Sequence, residues 1–369
     1  MAPSQPSEHR LWWDLFCRVI DNHGDLGVSW RLARQLAAGG DAVRLFVDDA
    51  TALAWMAPAH EATDPHIAVL PWPGPGEAQA PGRIGDVVIE AFGCHPPEPY
   101  LEAMREAGHA AAEAAPVWIN LEYLSAEDYV ERSHGLPSPR ADGLHKWFFY
   151  PGLTPRTGGL LREPGLVQRR ERFDRDRWLA GVIGRAPAAG ERVVSLFCYE
   201  NVRIGALLRS LAATGSTLLL LTPGFAERQV GALQAAGELP PAVRPVALPW
   251  LSQTDFDHLL WASDLNCVRG EDSLVRALWA GVPFLWHIYP QHDGAHEAKL
   301  RALLACLRMP ADAVQCHLAW NGLAPWPAGQ PALDAWRAAV HVARADLLAQ
   351  QDLVTQLRAF VARQRVSRN

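Results

Sequence analysis

Residues 269–281 read Arg-Gly-Glu-Asp-Ser-Leu-Val-Arg-Ala-Leu-Trp-Ala-Gly, and this stretch decides the fold. The apolar run 264–268 before it predicts a buried strand, Gly270 a tight turn, and 273–280 a helix closed by Gly281. Glu271, Asp272 and Ser273 stand where the helix begins. Carboxylates and a hydroxyl there can cap the free backbone N–H groups. The same N–H groups, with the helix dipole and Arg269 at the strand end, can instead cradle a diphosphate. The cradle is the reading carried forward.

A second loop of similar character lies near the N-terminus: Asp21, Asn22, His23, Gly24, Asp25, Leu26 and Gly27. It follows the apolar run 11–20 and precedes a helical pattern over 28–38 that ends at Gly39-Gly40. An Asx-turn with a helix cap would explain it. Two acids around Asn22 and Gly24 at the carboxyl end of a strand also suit a ligand site, because open α/β sheets bind there. One such loop in each half predicts a cleft between two α/β domains.

The intervening rhythm agrees. Strand patterns fall at 43–47, 87–91 and 117–120, with a loop over 71–82, and the turn formers at 151–159 mark the expected hinge between the domains. Beyond it, strands at 193–198, 217–221, 243–248, 264–268 and 284–288 alternate with helical patterns at 202–213, 255–262 and 273–280. That alternation implies a doubly wound parallel sheet. Helical segments at about 332–348 and 351–364 follow. Phe197, Cys198, Tyr199, Glu200 and Asn201 sit at a strand's carboxyl end, and Gln253 and Phe256 open a helix at the same edge.

The chain has 369 residues, which suits two domains. Its 34 basic and 40 acidic residues give a net charge of −6, which is no footprint for nucleic acid. Six cysteines contain no C-x-x-C pair and read as reduced core residues, hence a reducing compartment. The first ten residues lack an apolar signal core, and the longest aliphatic run, 218–221, is far too short to span a bilayer. A cytoplasmic enzyme with no membrane partner is expected. Fifteen tryptophans predict a filled core and some rings lining the cleft. No P-loop and no G-x-G-x-x-G follows the first strand. Asp48-Asp49 and Asp174/Asp176 read as solvated charges, and His287, His292 and His296 lack ligand spacing, so no metal is expected.

The segments FCRVIDNHGDLGVSWRLARQL, IEAFGCHPPE, WINLEYLSAE, FFYPGLTPRTGGLLRE, SLFCYEN and RGEDSLVRALWAGVPFLWHIYPQ resemble the bacterial protein-arginine rhamnosyltransferases that modify elongation factor P, the EarP family. His23 stands where that family carries Phe or Tyr. The resemblance implies a GT-B fold, with two facing Rossmann-like domains: an acceptor-binding domain at 1–152, a nucleotide-sugar domain at 153–349, and a helix at about 350–369 packing back on the first. It implies TDP-β-L-rhamnose as donor substrate, no other cofactor and no metal, elongation factor P as protein acceptor, and transfer to an arginine with inversion. The modified factor then rescues ribosomes stalled at consecutive prolines.

Carried over residue by residue, Asp25 is the general base and Asp21 orients the guanidinium. Asn22, His23, Gly24 and Asp25 border the sugar. Tyr199, Gln253, Arg269, Gly270, Glu271, Asp272 and Ser273 contact the donor, and Phe197 and Phe256 stack on thymine. Glu271 is counted with Asp25 and Asp21 among the catalytic residues; it can bind a ribose or sugar hydroxyl or hold Arg269 in position, and the hydroxyl is favoured. Two other readings use the same fold: a different GT-B glycosyltransferase or epimerase, and a non-catalytic nucleotide-sugar sensor.

Overall fold

The computed structural model describes residues 10–20, 23–57, 64–72, 83–110, 115–291 and 294–366. Asp21, Asn22, His292 and most of the loop at 71–82 lie outside the described residues.

The first sheet is built from β1 (Trp12–Cys17), β2 (Ala42–Val47), β3 (Ile67–Pro71), β4 (Val87–Ala91), β5 (Val117–Leu121), β6 (Pro137–Pro139) and β7 (His145–Phe149). Its order is β3-β2-β1-β4-β5-β7-β6, all parallel except the β6–β7 pair. Helices α1 (Gly24–Ala38), α2 (Leu53–Met56), α3 (Glu98–Ala110) and α4 (Asp128–Ser133) connect these strands. After α5 (Leu166–Glu171) and α6 (Arg175–Ile183), the second sheet follows: β8 (Arg192–Leu196), β9 (Thr217–Leu221), β10 (Val243–Ala247), β11 (Leu265–Arg269) and β12 (Phe284–His287). Its order, β10-β9-β8-β11-β12, reverses at β8, the switch point where such sheets bind ligands. Helices α7 (Ile204–Ala212), α8 (Phe225–Ala235), α9 (Gln253–Ala262) and α10 (Gly270–Ala280) cover it, followed by α11 (Ala295–Cys306), α12 (Ala311–Trp320), α13 (Leu333–Leu348) and α14 (Leu353–Val366).

The central strands β4, β5 and β9 are buried along their whole length, as both faces of a parallel sheet require. Helix α14 returns across the molecule. Leu353, Val354, Leu357, Phe360 and Val361 join the core beneath the first sheet with Leu26, Leu36 and Val117. Arg358 donates to the carbonyls of Leu36 and Gly39 at 3.3 and 3.1 Å, which ties α14 to the C-terminus of α1.

Three helices begin before the apolar periodicity announces them: α1 at Gly24, α9 at Gln253 and α10 at Gly270. Periodicity marks only turns that face the core, and these first turns face the cleft. Asp25 therefore stands in the first turn of α1 rather than in the loop before it.

The junction at 151–159 is tightly packed. Gly152 and Gly158 N–H donate to Gly159 and Tyr150 carbonyls at 3.1 and 2.8 Å, and Leu153, Leu160 and Leu161 are buried. A Cβ on Gly158 would overlap the ring of Phe149, itself fully buried. Gly158→Ala should therefore cost about 1–3 kcal/mol through overpacking. Urea titration checks this, and an unchanged midpoint would mean the ring moves aside freely. Among the described residues no helix is long and apolar enough to cross a membrane.

Candidate functional site

The C-terminal ends of β8 and β11, the first turn of α10 and the first turns of α1 enclose a cavity of ≈ 300 Å³. The second half contributes Phe197, Tyr199, Gln253, Phe256 and the run Arg269, Gly270, Glu271, Asp272 and Ser273 to its lining; the first half contributes His23, Gly24, Gly27 and Arg31. Asp25 lies on the same first turn of α1 and is close enough to Glu271 to feel its charge.

Gly270 makes the strand-to-helix turn possible. Its φ of 64° is in the left-handed region, where a side chain is strained, and a Cβ would stand 3.2 Å from the Tyr199 hydroxyl. The Ser273 hydroxyl accepts from Arg269 N–H at 3.0 Å and donates to the Arg269 carbonyl. It fastens the turn, and the first-turn groups without an intrahelical partner are the backbone N–H groups of Gly270, Glu271 and Asp272. The Arg269 guanidinium carbon lies 4.5 Å from the Phe197 ring centroid and 4.6 Å from that of Tyr199, held by cation–π contacts. Burial pulls its pKa below the ordinary value. Phe197 and Phe256 meet edge to face at 5.4 Å and form a corner at one end of the cavity. Behind Tyr199, His287 accepts its N–H at 3.3 Å; burial and Arg269 hold that imidazole neutral, with a pKa lowered to about 4.

At the cleft mouth, Tyr123 Oη donates to Asp25 Oδ2 at 3.3 Å. Burial and the Glu271 charge push the Asp25 pKa up from 3.8 to about 6, against the Tyr123 hydrogen bond, which lowers it. Glu271 itself spans the two halves. One carboxylate oxygen accepts from Leu124 N–H at 2.7 Å, and the other pairs with Lys299 Nζ at 2.5 Å. The sequence suggested a sugar hydroxyl for Glu271; the structure adds a protein partner on each oxygen.

Asp272 lines the same cavity and also has partners within the protein. Its carboxylate faces Arg31 Nε at 3.2 Å and belongs to a cluster of Arg31, Arg276, Glu163, Asp257 and Asp272. Arg31 Nη1 meets Glu163 at 2.9 Å. Arg276 forks onto Asp257 at 2.7 and 2.5 Å and reaches Glu163 at 2.7 Å. Burial alone would raise the Glu163 pKa, but Arg276 and Arg31 outweigh it and hold the carboxyl well below its usual range. Gln253 adds a further bond between the halves, donating Nε2 to the Gly27 carbonyl at 2.9 Å, while its buried Oε1 has no hydrogen-bond partner among the described residues. The closeness of Gln253 and Asp272 to Gly27 leaves an added Cβ there only ordinary contact distance.

Several lining residues were not legible in the sequence. Trp55 on α2 and Trp250 before α9 meet across the cleft at 4.7 Å, and His23 sets its ring edge-on to Trp55 at 5.8 Å. Phe225 and Arg228 of α8 complete the wall beside Arg269. The tryptophan count was the one signal available. Among the described residues no group of three or more His, Cys, Asp or Glu could hold a metal ion.

Residues 13–362 match the family described as elongation-factor P rhamnosyltransferase EarP. The protein-arginine rhamnosyltransferase of Pseudomonas putida is 47% identical, with 89% of each chain covered. That of Pseudomonas aeruginosa is 45% identical over 88% of this chain and 92% of its own. A solved structure on EarP-mediated arginine glycosylation of translation elongation factor EF-P superposes with a TM-score of 0.63 at 32% identity, covering 96% of this chain and 99% of that one. The calicheamicin glycosyltransferase CalG4, at 14% identity and a TM-score of 0.51, shares the GT-B fold. With its two facing parallel sheets and a match over nearly its whole length, this chain is a glycosyltransferase that belongs to the EarP family of elongation-factor P rhamnosyltransferases.

Proposed function

We propose that this enzyme transfers L-rhamnose from TDP-β-L-rhamnose to the guanidinium of an arginine of elongation factor P, with inversion at the sugar's anomeric carbon. One observation carries the reading: Asp25, at the first turn of α1, faces Glu271, at the first turn of α10, across the mouth of a cavity that ends in Arg269 and an aromatic corner.

A guanidinium is a poor nucleophile, because it is protonated and its lone pairs are delocalised. Asp25 accepts the proton that leaves the attacking nitrogen as the C–N bond forms. The bond from the anomeric carbon to the diphosphate breaks on the opposite face, and TDP departs with that electron pair. Arg269 and the first-turn N–H groups of α10 are suited to receive the leaving charge. Phe197 and Phe256 give the thymine an apolar corner. Asp21 takes the bidentate guanidinium contact that the family resemblance assigns to it.

Incubation with TDP-rhamnose and elongation factor P should add one deoxyhexosyl mass to an arginine. No such mass under any condition, or stronger thermal stabilisation by UDP-sugars than by TDP-rhamnose, would sink the reading. The pH profile gives a second check. Asp25 must be ionised to act, so kcat/KM should fall as pH drops through about 6. Under saturating acceptor the positive guanidinium favours the carboxylate, and the acid limb of kcat should lie lower. A kcat/KM limb near an ordinary carboxylate value would remove Asp25 from the base role.

A further inference from the structure

Tyr123 follows β5 by two residues, and its ring is held from both sides. Below, Phe92 stacks on it at 4.5 Å with 19° between the planes. Above, Lys299 Nζ lies 5.7 Å from the ring centroid, itself anchored on Glu271 at 2.5 Å. Phe92 keeps a left-handed backbone, φ 58°, which is costly for an aromatic residue and persists only where surrounding contacts impose it. Those contacts are present: Phe92 N–H donates to the Leu121 carbonyl at 2.8 Å, Gly93 N–H to Asn120 Oδ1 at 3.3 Å and Cys94 N–H to the Ala91 carbonyl at 3.1 Å. The strained turn after β4 thus places a flat ring beneath the residue that touches Asp25. Although 41% exposed, Tyr123 has its hydroxyl direction set before any substrate arrives.

The geometry points to Tyr123 as a positioning residue: its hydroxyl donates to Oδ2 of Asp25, fixes the carboxylate plane, and leaves Oδ1 to take the acceptor's proton. The inference rests on the reading of Asp25 as the base. The groups that face Asp25 are Glu271 from α10, Tyr123 after β5, Tyr199 after β8, Cys17 on β1 and Cys94 after β4. The acidic Glu271 disfavours the carboxylate charge, and the Tyr123 hydroxyl favours it. The hydroxyl therefore acts against burial and Glu271, in favour of the charged form.

The test is Tyr123→Phe, which keeps the ring and its stack and removes one oxygen. In protein labelled with ¹³C at aspartate carboxyls, the Asp25 titration midpoint should rise by about half to one pH unit, with the acid limb of kcat/KM following it. At a pH well above both limbs kcat should still fall several-fold, because the carboxylate plane is free, while the calorimetric Kd for TDP-rhamnose stays unchanged. Phe92→Leu keeps the hydroxyl and releases the ring, and should move the midpoint the same way by less. A midpoint that does not move in Tyr123→Phe, or that falls, overturns the inference whatever happens to the rate. The titration needs no substrate. A shifted midpoint in a protein that glycosylates no arginine keeps the Tyr123–Asp25 contact but removes the base reading on which the inference rests, and so overturns it; transfer with an unshifted midpoint overturns the inference and leaves the transferase reading standing.

Discussion

Asp25→Asn should bind TDP-rhamnose as the wild type does and lose about 10²–10⁴-fold in kcat, the range carried by a positioned general base. The amide has nearly the carboxylate's shape, and its oxygen can still accept from Tyr123, so the cleft mouth should keep its geometry. What disappears is the capacity to take a proton from the guanidinium. The same substitution makes an opposite statement about stability. Burial and Glu271 raise the Asp25 pKa from 3.8 to about 6 in the folded protein, so the stabilisation this group offers when protonated is lost as pH rises through that window. Asp25→Asn should lack that decline and be at least as stable as the wild type at pH 7. Lower activity with equal or greater stability is the signature of a charge retained for chemistry. Steady-state kinetics, donor calorimetry and urea titrations at pH 4 and pH 7 check the three parts. Retention of kcat within about threefold, far short of a general base's contribution, would exclude Asp25 as the base.

Arg276→Met should produce the largest loss of stability, about 3–5 kcal/mol, the cost of breaking a buried charge pair. Arg276 is 1% exposed and serves Asp257 through two bonds and Glu163 through a third. Its removal leaves Arg31 alone against Glu163, Asp257 and Asp272. Replacing Asp257 by Leu in the same chain should recover part of the loss, since an apolar substitute for a whole buried pair is often neutral or favourable. Chemical denaturation of both variants measures this. A single variant within about 0.5 kcal/mol of wild type, the range of an ordinary surface substitution, would show that water enters the cluster and screens it. The cluster joins α1, the segment before α5, α9 and α10, so the same variant should also raise the KM for donor, because Asp272 and the first turn of α10 lose their fixed place relative to α1.

The second sheet was readable because its inner strands are mostly apolar five-residue runs. Thr217–Leu221 is buried at every position, and turn formers separate such runs. The edge strands of the first sheet were not. β3 is half exposed and β6 is Pro-Ser-Pro; β7, lying between β5 and β6, opens with His145 and Lys146. Edge strands carry prolines and charges that break the pattern. At the site, the residues grouped at β8, β11 and α10 were legible because one sheet edge brings them together. Tyr123, Arg31 and Trp55 were not: each belongs to an element whose own pattern says only strand end or helix face, and their meeting with Asp25, Asp272 and Trp250 is a tertiary fact. Asp272 shows the limit of local reading. A carboxylate in the first turn of a helix looks ready for a ligand, and only the approach of Arg31 from far back in the chain reveals its partner.

Helix α14 supplies Leu353, Leu357, Phe360 and Val361 to the core beneath the first sheet, so a growing polypeptide that lacks residues 353–366 carries that sheet with an open greasy face. Domains usually complete themselves in order of synthesis. Here the half translated first is finished last, after the sheet that follows it has had every residue it needs to close. Between those events the incomplete half is the vulnerable species, the one that chaperones and proteases would meet.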